Sequence, residues 1–253
     1  MNNNLLVVGN WKMKLGLKES LKLANGLKKK IKRKSKVEVG ICPSHSSLYP
    51  VAAAVRGSNI KLGAQNLFWE EEGAFTGEIS PSMLKELGCE LVIIGHSERR
   101  QYLGETDEMV HKKTRIALEN KIMPIVCVGE NLEEREDKKT DFIIINQVTK
   151  ALQGINVEEN DQLVVAYEPV WVIGSGQAIN PEDAEHVHRV IRQTLIDLNP
   201  KEVVDNNFRI IYGGSVDSDN VTSFTDKKLI EGVLVGGASL KAEKFVNIIN
   251  AIK

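Results

Sequence analysis

The sequence predicts an α/β fold in which eight buried parallel strands alternate with helices. Short apolar runs recur at 5–8, 37–42, 60–64, 91–94, 123–128, 163–167, 208–212 and 232–235. Each is too short for an amphipathic helix and lacks strict alternation, the pattern of strands covered on both faces. The segments between them carry apolar residues at helical spacing. Pattern alone leaves two architectures, an open doubly wound sheet and a closed eight-stranded barrel. The chain has 253 residues, 42% hydrophobic and 26% charged, with no Gly/Ser linker or break in composition. One domain over residues 1–253 follows, large enough to bury a core without disulfides.

Taken in order, Leu17, Leu21, Ala24, Leu27 and Ile31 mark the buried face of the first helix. Helices over 44–56 and 81–87 are marked more weakly, and 70–80 reads as a long loop of the kind that often serves function. The clearest helix follows the sixth run. Asn180 caps it, Pro181 takes its first position and Asp183 suits its positive end, while Val187, Val190, Ile191, Leu195 and Leu198 form its face.

A net charge of −1 gives no global attraction to nucleic acid or to an anionic membrane. The three cysteines, Cys42, Cys89 and Cys127, form no paired motif and no metal pattern, which fits a reducing cytoplasm. The run at 5–8 is too short for a signal peptide or a membrane span. One basic run, KKKIKRKSK at 28–36, could contact a polyanion. It lacks aromatics for base stacking and ends an amphipathic helix where cations suit the dipole, so a solvated helix end is the stronger reading.

The unusual residues fall at strand ends. Asn10 and Lys12 follow the first run, Gln65-Asn66 the third, His96 and Glu98 the fourth, Gly129-Glu130 the fifth and Glu168-Pro169 the sixth. Gly213-Gly214-Ser215 and Gly236-Gly237 follow the last two, and each pair is expected to open a helix. In a barrel all of these converge on one face, where active sites are built. Paired glycines let a backbone approach an anion, and N–H groups at a helix start attract it. Lys12 could neutralise that anion, or snorkel to the rim. Glu98 could hold Lys12, and Asn10 offers an amide. His96, before a predicted helix, would stay a neutral donor. A Glu168 carboxylate among Val170, Trp171 and Ile173 would make a stronger base than one in water. His45, His111, His186 and His188 read as surface residues.

Together these residues resemble the triosephosphate isomerase family. The resemblance spans the chain: 9–13, 63–66, GAFTGEISP at 73–81, 95–100, PIVCVGE at 124–130, AYEPVW at 166–171, YGGSV at 212–216 and VGGASL at 235–240. It implies a closed (β/α)8 TIM barrel and a glycolytic isomerase that interconverts dihydroxyacetone phosphate and D-glyceraldehyde 3-phosphate through an enediolate. It further implies Glu168 as base, His96 as polariser, and Asn10 and Lys12 as charge stabilisers, with Glu98 and Cys127 supporting. Gly174, Ser215, Gly236 and Gly237 would bind phosphate. Pro169, Val170, Trp171, Val172, Ile173, Gly174, Ser175, Gly176 and Gln177 would form a lid. No metal or organic cofactor is implied. The partner is a second copy, met through a loop carrying Phe75 and Thr76. The family usually has Asn where this chain has Lys14, and its lid usually reads Ala-Ile-Gly-Thr-Gly-Lys where this one has Val172 to Gln177. The alternatives are another phosphosugar barrel enzyme or, remotely, a polyanion-binding protein.

Overall fold

A computed structural model describes residues 4–31, 37–157, 162–174 and 177–252. The strands are β1 (Leu5–Asn10), β2 (Val37–Cys42), β3 (Ile60–Ala64), β4 (Leu91–Ile94), β5 (Met123–Val128), β6 (Leu163–Tyr167), β7 (Phe208–Tyr212) and β8 (Gly232–Val235). Each pairs in parallel with the next, and β8 returns to β1, so the sheet closes into a barrel. The open-sheet alternative is thereby removed. The runs expected from sequence coincide with the strands, except that β1 continues to Asn10.

Helices wrap the barrel: α1 (Leu17–Lys30), α2 (His45–Val55), α3 (Pro81–Glu86), α4 (Ser97–Leu103), α5 (Asp107–Glu119), α6 (Leu132–Glu136), α7 (Thr140–Leu152), α8 (Pro181–Leu198), α9 (Lys201–Asn207), α10 (Val221–Thr225) and α11 (Ala242–Ala251). Alternation along each strand divides the core in two. Val7, Val39, Val126 and Val165 face the helices, whereas Leu6, Val8, Ile93, Ile125, Cys127, Val164 and Ala166 fill the barrel. The interior is a packed solid. A Cβ on Gly63 would lie 2.1 Å from Leu91 Cδ1, and one on Gly40 would lie 2.8 Å from Leu91 Cδ2. Leu91 therefore occupies the volume that β2 and β3 leave empty.

Local signals act as expected in α8, where Asn180 Oδ1 accepts from the Glu182 amide at 2.9 Å and Pro181 takes the first turn. The expected face of α1 is rotated. Ser20, Leu23, Ala24 and Leu27 are buried, while Leu17 is 51% exposed and Leu21 half-buried. The leucines at 17, 21 and 23 allow either stripe, and packing against α2 and α11 selects the second. In the basic run, Lys28 Nζ donates to the carbonyls of Ala54 and Arg56 at 2.9 Å, closing the end of α2. Lys32 to Lys36 lie outside the described residues. Among the described residues, no helix is long and apolar enough to cross a membrane.

The surface reading of the histidines holds only for His186, which pairs with Asp141 at 3.0 Å. His45 and His111 are half-buried, and His188 is fully buried on α8 with its ring edge-on to Tyr167. The stripe position of His188, one residue after Val187, places it against β6 and β7. Its Nδ1 bonds the Ala184 carbonyl at 2.7 Å, and burial lowers its pKa from 6.5 to about 4. Between these values the unfolded chain binds more protons than the folded one, so stability falls as pH drops through that window. This one group should remove about 2 kcal/mol of unfolding free energy between pH 7 and pH 5. Urea unfolding of His188→Asn at both pH values should show a loss smaller by that amount.

Candidate active site

The strand ends that carry unusual residues meet around one cavity of about 670 Å³, lined by Asn10, Lys12, His96, Glu168, Gly174, Ser215, Gly236 and Gly237 among others. Residues far apart in sequence share it because the barrel closes.

Asn10 ends β1, and its Oδ1 accepts from the Lys12 amide at 3.0 Å. Lys12 has a left-handed backbone, φ 52, uncommon for a residue with a side chain. Gln65 stabilises that turn by donating from Nε2 to the carbonyls of Lys12 and Cys42, both at 2.9 Å. The turn brings the Lys12 side chain beside Gly236 and its Nζ 2.7 Å from Glu98 Oε1. Lys12 thus sits over the glycine-rich end of β8 and does not snorkel outward.

His96 precedes α4 and caps it, with Nδ1 accepting from the Glu98 amide at 3.2 Å. An accepting Nδ1 puts the ring proton on Nε2. That nitrogen is 3.0 Å from Glu168 Oε1. Glu168, the first residue beyond β6, is 2% exposed. Its amide donates to the Val128 carbonyl at 2.8 Å, and its Oε2 accepts from the Ser97 amide at 2.9 Å. Oε1 has no hydrogen-bond partner among the described residues, because His96 Nε2 approaches it off the line of a bond. A buried carboxylate oxygen left unpaired is costly in a folded protein. Its position at the wall of the cavity makes it available to a ligand.

Glycines shape this carboxylate's surroundings. A Cβ on Gly213 would meet Glu168 Cγ at 3.0 Å, and one on Gly129 would meet the Glu168 carbonyl oxygen at 1.7 Å. Cys127 lies inside the barrel beneath. Burial pushes its thiol well above the ordinary range, with the Glu168 charge adding to the effect, so it stays protonated.

The glycine pairs behave differently from one another. Gly236-Gly237 leads into a 3-10 turn (Gly237–Leu240), as expected. Gly213-Gly214 opens no helix, since α10 begins only at Val221. The intervening residues, Ser215 to Asp219, instead extend the cavity wall. Of the lid segment, Val170–Val172 forms a 3-10 turn with Val172 buried, while Ile173 and Gly174 line the cavity. Gln177 is exposed, and Ser175 and Gly176 lie outside the described residues.

Sequence reasoning misses what anchors the start of this segment. Glu130, fully buried, accepts on Oε1 from Tyr167 Oη at 3.1 Å and from Trp171 Nε1 at 3.3 Å. The Arg135 guanidinium covers the Trp171 ring at 4.8 Å. Burial raises the Glu130 pKa, partly offset by these donors. Gly129-Glu130 is visible as a strand end, but nothing local names its partners. A buried Glu105–Lys113 pair, 2.9 Å apart and joined to Asn66 at 2.7 Å, leaves no sequence signal either. No group of three or more His, Cys, Asp or Glu among the described residues is placed to hold a metal ion.

Comparison with known proteins gives consistent matches. The family model described as Triosephosphate isomerase matches residues 5–252. A relative named Triosephosphate isomerase in Caldanaerobacter subterraneus subsp. tengcongensis is 50% identical over 245 residues, covering 97% of this chain and 98% of that one. One of the same name in Alkaliphilus oremlandii is 49% identical, with 97% and 98% covered. A third, in Endomicrobium trichonymphae, is 47% identical over 248 residues, with 98% of each covered.

The close approach at Gly129 supplies a test. Gly129→Ala should lower the unfolding free energy by about 3 kcal/mol, since backbone must shift to admit the methyl. Urea unfolding measures this, and an unchanged midpoint would mean that β5 and β6 part more easily there than the packing implies.

Proposed function

This chain belongs to the triosephosphate isomerase family and interconverts dihydroxyacetone phosphate and D-glyceraldehyde 3-phosphate; we propose that Glu168 moves the proton while His96, Asn10 and Lys12 stabilise the charge it leaves. Removing a proton beside a carbonyl places negative charge on the carbonyl oxygen, and donors aimed at that oxygen lower the barrier. Neutral His96 would donate from Nε2, with the Asn10 amide and the Lys12 ammonium nearby. Glu168 would then return the proton to the neighbouring carbon, while His96 Nε2 gives its proton to one enediolate oxygen and takes the hydroxyl proton from the other, ending neutral again.

The observation that carries this reading is the buried, unpaired Oε1 of Glu168, 3.0 Å from His96 Nε2 at the cavity wall. No substrate fits between atoms that close. On binding, the carboxylate must therefore swing off the Ser97 amide toward the cavity. The phosphate would lie against Gly174, Ser215, Gly236 and Gly237, its charge opposed by Lys12. Closure of the segment from Pro169 to Gln177 would exclude water from the enediolate. Glu98 would hold Lys12, and Cys127 would pack beneath Glu168.

A homodimer is the assembly we favour. Phe75 packs on Phe68 with ring centroids 4.5 Å apart yet is 43% exposed, and Met13, Tyr49 and Tyr102 are 94%, 72% and 72% exposed. These residues belong to four consecutive strand-to-helix units, and a second copy inserting its Phe75–Thr76 loop beside Met13 would cover them. A cytoplasmic location is supported by three cysteines that are all free and buried.

Glu168→Asp, which draws the carboxylate back by one methylene, should lower kcat on triose phosphate about 10²- to 10³-fold. The affinity for inorganic phosphate should change less than about threefold, as its contacts lie elsewhere. Steady-state kinetics with phosphate as competitive inhibitor checks both, and unchanged turnover would remove Glu168 as the base. Sedimentation at micromolar concentration should give a dimer; a monomer would contradict the assembly.

A further inference from the structure

The two peptide units that meet at Gly95, just ahead of His96, are each held by a side chain. Gly95 has φ +71, and a glycine with that freedom does not fix its own peptide orientation. Its N–H donates to Glu105 Oε1 at 2.9 Å, and its carbonyl accepts from Arg100 Nε at 2.8 Å. The same guanidinium reaches two further groups. Nη2 donates to the Cys127 carbonyl at 3.2 Å, and Nη1 to Asp107 Oδ1 at 2.6 Å. Cys127 is on β5, in register with Ala166 of β6, and the next residue, Val128, accepts the Glu168 amide. One planar side chain therefore joins the backbone ahead of His96 to the strand against which Glu168 is set.

We propose that Arg100 is a positioning residue for the proton transfer, fixing the His96 ring relative to the Glu168 carboxylate. This rests on the roles given to those two residues under the proposed function. Arg100 is not among the residues that line the cavity, so its effect passes through the Gly95 peptide. A planar fork with several donors can bridge two carbonyls and a carboxylate at once. An ammonium at the same place satisfies fewer of them. Displacement of reacting groups by a fraction of an ångström is enough to cost a large factor in rate.

The test compares Arg100→Ala and Arg100→Lys with the unaltered protein, all as full chains. It reads kcat, KM, inhibition by inorganic phosphate, the 15N resonances of the His96 ring and thermal midpoint. Arg100→Ala should lower kcat about 100-fold and leave KM and phosphate inhibition within about threefold. The His96 ring resonances should move, and millimolar guanidinium should restore kcat at least about tenfold where ammonium does not. If the alanine variant does not fold, the lysine variant decides: a lowered kcat with moved His96 resonances supports the proposal. Unmoved resonances, an unchanged kcat, or equal losses of kcat and phosphate affinity in a folded variant would overturn it. Failure of the base assignment is seen separately, as full turnover in Glu168→Asp.

Discussion

The interaction on which this structure depends is the burial of Glu168 with one oxygen tied to the Ser97 amide and the other without a hydrogen bond among the described residues. A charged group removed from water must be compensated. Here a backbone amide from the start of α4, reached over the end of the intervening β5, does part of that. β4 and β6 flank β5 and so bring His96 and Glu168 together, and closure of the barrel adds Asn10 and Lys12 from β1 and Gly236 from β8 to the same cavity. Gly129 lets the Glu168 backbone pass close by and Gly213 leaves room for its side chain, and the solid interior around Leu91 and Cys127 gives it a floor that does not yield.

Charge around the cavity is arranged in layers. Lys12 is held by Glu98 at the rim. Behind α4, Glu105 is buried, which alone would raise its pKa, but Lys113 and Arg99 outweigh burial and keep it below the usual carboxylate range. Glu105 and Arg100 then hold the N–H and the carbonyl of Gly95, which belong to the two successive peptide units ahead of His96. His96 is thus connected to a buried ionic network without being part of it. Beyond β5, Glu130 gathers Tyr167 and Trp171 at the start of the segment that follows Glu168. That fixes one end of a segment whose glycine, Gly174, takes a left-handed φ of 78 at the cavity.

Much of this was legible in the sequence, for identifiable reasons. Strands buried on both faces write themselves as uninterrupted apolar runs, so Leu91–Ile94 and Leu163–Tyr167 coincide with expectation. Asn180-Pro181 is a local cap and acts locally. In a barrel, residues at strand ends share one face, so the sequence groups Asn10, Lys12, His96 and Glu168 together. Long-range pairing left no such trace. Arg100 to Cys127, Lys113 to Asn66 and Trp171 to Glu130 each join groups whose separation in sequence carries no period. His188 failed for a related reason. A polar residue in a helix reads as exposed, while its place beside Val187 put it in the core.

Isomerisation carried out in deuterated water tests the central claim most directly, because a proton held by a side chain between two carbons can exchange with solvent. D-Glyceraldehyde 3-phosphate converted by the enzyme should give dihydroxyacetone phosphate carrying deuterium at carbon 1, seen by proton NMR of the product. Product entirely free of solvent deuterium would indicate direct transfer between the carbons and contradict a carboxylate that takes the proton and returns it.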